Sequence, residues 1–198
     1  DVVYYRAFAS PEEFWRFWVS HIPTFDQLIA YEPFYLYCEQ ALRWLKEDKT
    51  LQDIRPGIDR TQWKKQELDR IDRNKLYGLA KYVSIKEDNM PGGRRQFVTR
   101  SATGDFQASA PQALLAFLVD RGNSFELVKG RQAAVTSEMM AIADLEMITK
   151  PSFTGVFMVH KKDGTGKALF ADKHQNTLQN LPSWITSEID VSKGFSAE

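Results

Sequence analysis

Beyond Pro111 the chain alternates between short apolar runs and longer segments of helical spacing, and this alternation constrains its fold more than any other feature. "PQALLAFLVDRG" predicts a helix closed by Gly122, "SFELV" a strand, and "TSEMMAIADLEMIT" a helix stopped ahead of Pro151. "FTGVFMVH" predicts a second strand and "GKALFADKHQNTLQNLP" a further helix. Both strand segments are apolar almost throughout, as strands covered on both faces are. Strands alternating with helices at this spacing predict an α/β fold, a parallel sheet with helices on both faces.

Residues 1–83 have a different pattern. They hold 16 of the 25 aromatic residues and read as a small all-helical domain. "SPEEFWRFW" opens a helix with Ser10 as cap, Pro11 at the first position and Glu13 where a capping box wants a carboxylate. "PFYLYCEQALRWLKED" places Phe34, Tyr37, Cys38, Ala41, Leu42 and Leu45 at helical spacing, and Pro56-Gly57 end the pattern. "RTQWKKQELDRIDRNKLYGLAKYV" predicts a third helix with Leu68, Ile71, Leu76 and Leu79 toward one side and Asp69 four residues ahead of Arg73 on a solvated face. The aromatic density fits core packing first and a docking surface second. Residues 84–110, rich in Gly, Pro, Ser and Thr, read as a connector in which "RQFVTRSATGDFQA" alternates like a short hairpin. Residues 111–198 form the alternating α/β part.

Charge excludes one class of function. Lys plus Arg and Asp plus Glu both number 26, with thirteen of each sign in residues 1–83, so no segment has the basic footprint of a dedicated DNA-binding domain. Cys38 is the only cysteine, which excludes an internal disulfide, fits a reducing compartment and reads as a core thiol. No apolar run is long enough to span a bilayer, and a secretory signal pattern is absent from the residues given, so no membrane partner is expected. His21, His160 and His174 are too scattered for a zinc site, and "DGTGK" at 163–167 reads as a turn.

The chemistry concentrates between the first predicted strand and its helix, at "KGRQAAVTS", residues 129–137. Ligands of parallel α/β sheets bind where strands end and helices begin, and a helix N-terminus there presents unpaired N–H groups and partial positive charge. Gly130, Ala133 and Ala134 are small enough to let backbone amides approach a phosphate, and Thr136 or Ser137 can offer a hydroxyl to a nucleotide-bound metal. Val135 stands where a phosphate-binding loop usually has lysine, while Lys129 and Arg131 bring cations to the front of the loop.

Four features together resemble the large terminase subunit, the ATPase that packages DNA into tailed-phage heads. Gln112 heads a helix upstream of the loop, Arg131-Gln132 lie within it, His160-Lys161 end the second predicted strand, and a helix closes on Leu181, Pro182 and Trp184. The likeness covers residues 111–190. It implies a truncated P-loop NTPase-like parallel sheet preceded by the small helical domain, and a cofactor pair of ATP and Mg. By the same resemblance Gln112 reads adenine and Lys129 and Arg131 act on the phosphates. Gly130, Gln132 and Ala134 shape the cradle, and Thr136 or Ser137 holds the metal. Ala134, usually glycine, and Val135 depart from the pattern and bear on hydrolysis more than on binding. The acidic strand motif and the nuclease domain of the family are not found, which implies an N-terminal piece inactive in hydrolysis alone. The partners implied are double-stranded DNA, the portal and the small terminase subunit, in the host cytoplasm. Two other readings stand beside it: a helicase-like ATPase, and a non-catalytic phage assembly module.

Overall fold

The computed structural model describes residues 27, 30–47, 49–86, 94–96, 99–100, 106–107, 110–122, 135–150, 152–153 and 174–187. The chain divides into two compact units, Asp1–Leu36 and Tyr37–Glu198. The described part of the first unit is Gln27 and residues 30–36, which open helix α1 (Glu32–Lys46). The Tyr31 carbonyl accepts the Phe34 and Tyr35 N–H groups at 3.0 and 3.1 Å, which closes the first turn. Glu32 places negative charge at the positive end of the helix. Phe34 is buried, whereas Tyr31, Tyr35 and Leu36 are exposed.

The second unit continues with the rest of α1, a single 3-10 turn (Leu51–Asp53) and helices α2 (Ile58–Arg73) and α3 (Lys75–Tyr82). Two short antiparallel pairs follow, β1 (Ser84–Lys86) with β2 (Arg94–Gln96), then β3 (Thr99–Arg100) with β4 (Phe106–Gln107). Then come α4 (Ala110–Asp120), α5 (Val135–Thr149), and the short helices α6 (Asn176–Asn180) and α7 (Ser183–Thr186). Helix α3 sits at the centre, in contact with α2, α4, α5 and the β2 strand. Its residues Leu76, Tyr77, Gly78, Leu79 and Ala80 are all buried, so the core forms where helices pack on helices.

The expected P-loop NTPase-like parallel sheet with helices on both faces is overturned. The described residues are predominantly helical, and the strands among them pair only antiparallel, two by two, within the predicted connector. The alternation of apolar runs with helical segments predicts a sheet under α5, but α2, α3, α4 and α6 supply that apolar surface instead. Met140, Ala141, Ile142 and Leu145 of α5 are buried in this helical surround. Of the two segments read as apolar strands, 124–128 lies outside the described residues, as does 153–160 apart from Phe153, which is exposed and in no strand; the "SPEEFWRFW" helix lies outside them too.

Several local expectations are met. Helix α4 ends at Asp120 and Gly122 follows with φ +67, the left-handed conformation that glycine adopts without strain. Thr99–Arg100 pair antiparallel with Phe106–Gln107, as expected of a hairpin, and Arg73 Nε binds Asp69 Oδ1 at 3.0 Å on an exposed face. The third predicted helix is interrupted, however. Asn74, at φ −151 and ψ 95, ends α2 and caps α3 by accepting the Tyr77 N–H at 3.0 Å. Leu42, expected on the inner stripe of α1, is exposed.

Candidate functional site

The residues singled out from sequence fall into two groups. Gln112 is the third residue of α4 and half-buried. Thr136 and Ser137 are the second and third residues of α5, Thr136 exposed and Ser137 half-buried. Helices α4 and α5 touch one another, so these three residues stand near the starts of two packed helices. Lys129, Gly130, Arg131, Gln132 and Ala134 lie outside the described residues. Val135, the first residue of α5, is buried and therefore points into packing rather than toward a ligand.

The α5 helix carries an electrostatic feature that sequence reasoning missed. Glu138, in its first turn, is 1% exposed, and neither carboxylate oxygen has a hydrogen-bond partner. Burial pushes its carboxyl up to about 8, so the neutral acid dominates at pH 7. Further along, Asp144 is fully buried and pairs with His174 Nδ1. Burial raises Asp144 to about 6 against the opposing effect of the histidine. This pair ties α5 to the turn ahead of α6.

Among the described residues the most connected charge is Lys75, which is 0% exposed. Its Nζ donates to the carbonyls of Ile71 (3.2 Å) and Asp72 (2.7 Å), satisfying the C-terminal end of α2. The same Nζ lies 3.1 Å from Glu146 Oε1 on α5, 3.5 Å from Asp120 Oδ1 on α4 and 3.6 Å from Asp72 Oδ1. Asp120 Oδ2 in turn accepts the Lys75 backbone N–H at 2.7 Å and the Tyr37 hydroxyl at 2.6 Å. The Tyr37 hydroxyl accepts the Leu76 N–H at 3.1 Å, so the donors left without helical partners at the start of α3 are taken by side chains from α1 and α4. Burial and the neighbouring Asp120 carboxylate push the Tyr37 phenol well above its ordinary value. Lys150 Nζ forms an ion pair with Glu146 Oε2 at 2.5 Å.

A second cluster surrounds Glu67, 1% exposed on α2. Its Oε2 accepts from Tyr82 (2.5 Å), Tyr77 (2.7 Å) and Lys81 (2.9 Å), and its Oε1 from Arg70 (3.2 Å). Burial would raise this carboxyl, but the donors outweigh it and hold it below its ordinary value. Arg70 also pairs with Glu47. Trp184 packs between Trp63, tilted at a centroid distance of 5.2 Å, and Tyr82, edge-to-face at 5.9 Å, fastening α7 to this cluster. With every polar atom of Glu67 engaged, the cluster is a structural clamp.

A cleft of about 680 Å³ opens between the 3-10 turn and α2, with Trp63 in its wall and Glu47, Asp53, Arg55 and Asp59 among its lining. It contains none of the residues singled out from sequence. Its charges are mixed, with Asp53 already engaged in capping Thr50. Cys38 is a free, half-buried thiol that burial raises to about 11, which keeps it unreactive at neutral pH. Among the described residues no group of three metal-ligating side chains occurs. No helix among them is long and apolar enough to cross a membrane.

Lys75 and Glu138 did leave a signal in the sequence. Lys75 falls on the stripe formed by Leu68, Ile71 and Leu79, and Glu138 on the one formed by Val135, Ile142 and Leu145. A charge on an apolar stripe marks either a broken stripe or a buried partner. Comparison with protein-family models, curated protein sequences and solved structures returned no match.

Proposed function

We propose that this chain is part of the large terminase subunit of a viral DNA-packaging motor, binding ATP with Mg at the start of α5. The single observation that carries the reading is the position of that helix start. Helix α5 begins at Val135, immediately after "KGRQAA", and leaves the Thr136 side chain exposed in its first turn. An exposed hydroxyl beside unpaired N–H groups at the positive end of a helix suits a phosphate and its metal. Support also comes from Gln112 near the start of α4 and from α6 closing on Leu181-Pro182 ahead of Trp184. In this reading Lys129 and Arg131 neutralise phosphate charge, and nucleotide turnover is coupled to translocation of double-stranded DNA. The portal and the small terminase subunit are the protein partners, in the host cytoplasm.

The test is a titration of the chain with Mg·ATP by calorimetry, repeated with Lys129→Ala and Thr136→Ala. The proposal expects saturable binding that both substitutions weaken. A chain that binds no nucleotide refutes it, and unchanged affinity in Lys129→Ala removes that lysine from the site.

A second reading, a non-catalytic assembly module, is favoured by one specific observation. Val135 is buried in the core at the position where the resemblance expects a phosphate-binding lysine. Failure to bind nucleotide, with retention of the fold, is the result that reading expects.

A further inference from the structure

We infer that Lys75 is a positioning residue: it holds the C-terminal parts of α4 and α5 at one point and so sets the relative placement of Gln112 and the Thr136–Ser137 pair. This inference rests on the nucleotide reading above. Its basis is the convergence of two carboxylates, Asp120 of α4 and Glu146 of α5, on one buried ammonium group at 3.5 and 3.1 Å. Lys75 is anchored in turn by the Ile71 and Asp72 carbonyls and by its own N–H to Asp120. The ammonium therefore cannot follow one helix without releasing the other.

Loss of the ammonium leaves Asp120 and Glu146 as adjacent, largely buried carboxylates, with the half-exposed Lys150 on Glu146 Oε2 as their remaining cation. Like charges in a poorly solvated site repel, and the available response is separation of the two helices or proton uptake. Gln112 lies eight residues from Asp120, roughly 12 Å along α4, and Ser137 nine residues from Glu146, roughly 13 Å along α5. A small rotation at the node is therefore a displacement at the far ends. A ligand that must reach both ends, such as ATP through its adenine and its phosphates, feels this displacement. A ligand that needs only the phosphate end does not.

The experiment compares Mg·ATP with inorganic tripolyphosphate plus Mg on the wild-type chain, Lys75→Met, Lys75→Arg and Glu146→Gln. Measurements are made at a temperature where circular dichroism shows each variant folded. Glu146→Gln releases only the α5 arm and decides the matter if Lys75→Met does not fold. The expected result is an ATP affinity lower by about tenfold in Lys75→Met and Glu146→Gln, with tripolyphosphate affinity within about twofold of wild type. Lys75→Arg, which keeps the cation, restores most of the preference for ATP. A merely structural role lowers the unfolding temperature and leaves the ratio of the two affinities unchanged. An unchanged ratio in the folded variants overturns the positioning role. So does a wild-type chain that binds both ligands equally, an outcome that leaves phosphate binding intact. A wild-type chain that binds neither ligand refutes the nucleotide reading, and the positioning role falls with it.

Discussion

Gly78 lies inside α3, where a substitution to alanine tests the packing of the core. Helix propensity alone predicts that Gly78→Ala stabilises the protein by about 1 kcal/mol, because alanine loses less backbone entropy on folding. The packing predicts the opposite. A Cβ at this position meets Leu145 Cδ1 at 2.9 Å and Ile71 Cγ2 at 3.0 Å, whereas carbon atoms rest at roughly 3.5–4.0 Å. The neighbours must therefore retreat by roughly 0.5–1 Å in a densely packed interior. Both are 0% exposed, so neither has solvent to move into. Ile71 Cγ2 branches directly from a Cβ on α2 and cannot swing away without a rotamer change.

Overpacking of this kind costs about 1–3 kcal/mol, which offsets the propensity gain and leaves a net loss of up to about 2 kcal/mol. Urea denaturation followed by circular dichroism measures it directly, and in a chain of this size each kcal/mol lowers the melting temperature by about 2–4 °C. A second substitution distinguishes the cause. Leu145→Ala alone costs about 2–5 kcal/mol, but combined with Gly78→Ala it costs less, because the new methyl occupies part of the vacated space. A Gly78→Ala variant more stable than wild type by the full propensity difference, with strict additivity in the double variant, refutes the close approach of α3 to α2 and α5.

Two other outcomes follow from buried polar groups. Glu138 is held at about 8 in the fold against an ordinary value of 4.5, so folding favours its neutral form. Its contribution to stability is therefore greatest below pH 4.5, declines as pH rises toward 8 and levels off above, for a total on the order of 3–5 kcal/mol at about 1.36 kcal/mol per pH unit. Glu138→Gln, which is neutral at every pH, melts higher than wild type at pH 8 and close to wild type at pH 4.5; equal gains at both refute the assignment. Asn74→Ala removes both the Tyr77 N–H bond and the bond from Asn74 Nδ2 to the Tyr37 carbonyl at 2.9 Å, and is expected to cost about 2–3 kcal/mol in chemical denaturation. A loss below about 0.5 kcal/mol removes the cap from the account of why α2 and α3 separate.

The helices nearest the candidate site were legible because their signals are local. Gly122 marks the end of α4 through its left-handed backbone, and the boundary of α5 follows from small residues before Val135 and Pro151 after Thr149. The interruption at Asn74 was not legible. Its side chain bonds to Tyr37, 37 residues away, and the adjacent α3 donors are met by Asp120, 45 residues from Lys75. Within residues 60–83 nothing but an unbroken helical period is visible. Of the candidate site residues only Gln112, Thr136 and Ser137 have described positions, all near helix starts.

The sequence alone indicated a helix within 111–122 and another over 136–149, a short hairpin between the two parts, a single cysteine and a balanced charge. Each of these depends on neighbours within a few residues, or on composition, and so is written locally. Tertiary structure decided what covers the apolar faces. Helices rather than a parallel sheet surround α5, because an apolar stripe is buried equally well by either and its period does not name its partner. Tertiary structure also decided which charges leave water. Lys75 is buried because partners from distant segments replace its hydration, Glu67 because Tyr77, Lys81 and Tyr82 on the next helix do so, while Glu138 is buried by yielding its charge. Those exchanges occur only once α1, α2, α4 and α5 have assembled around α3.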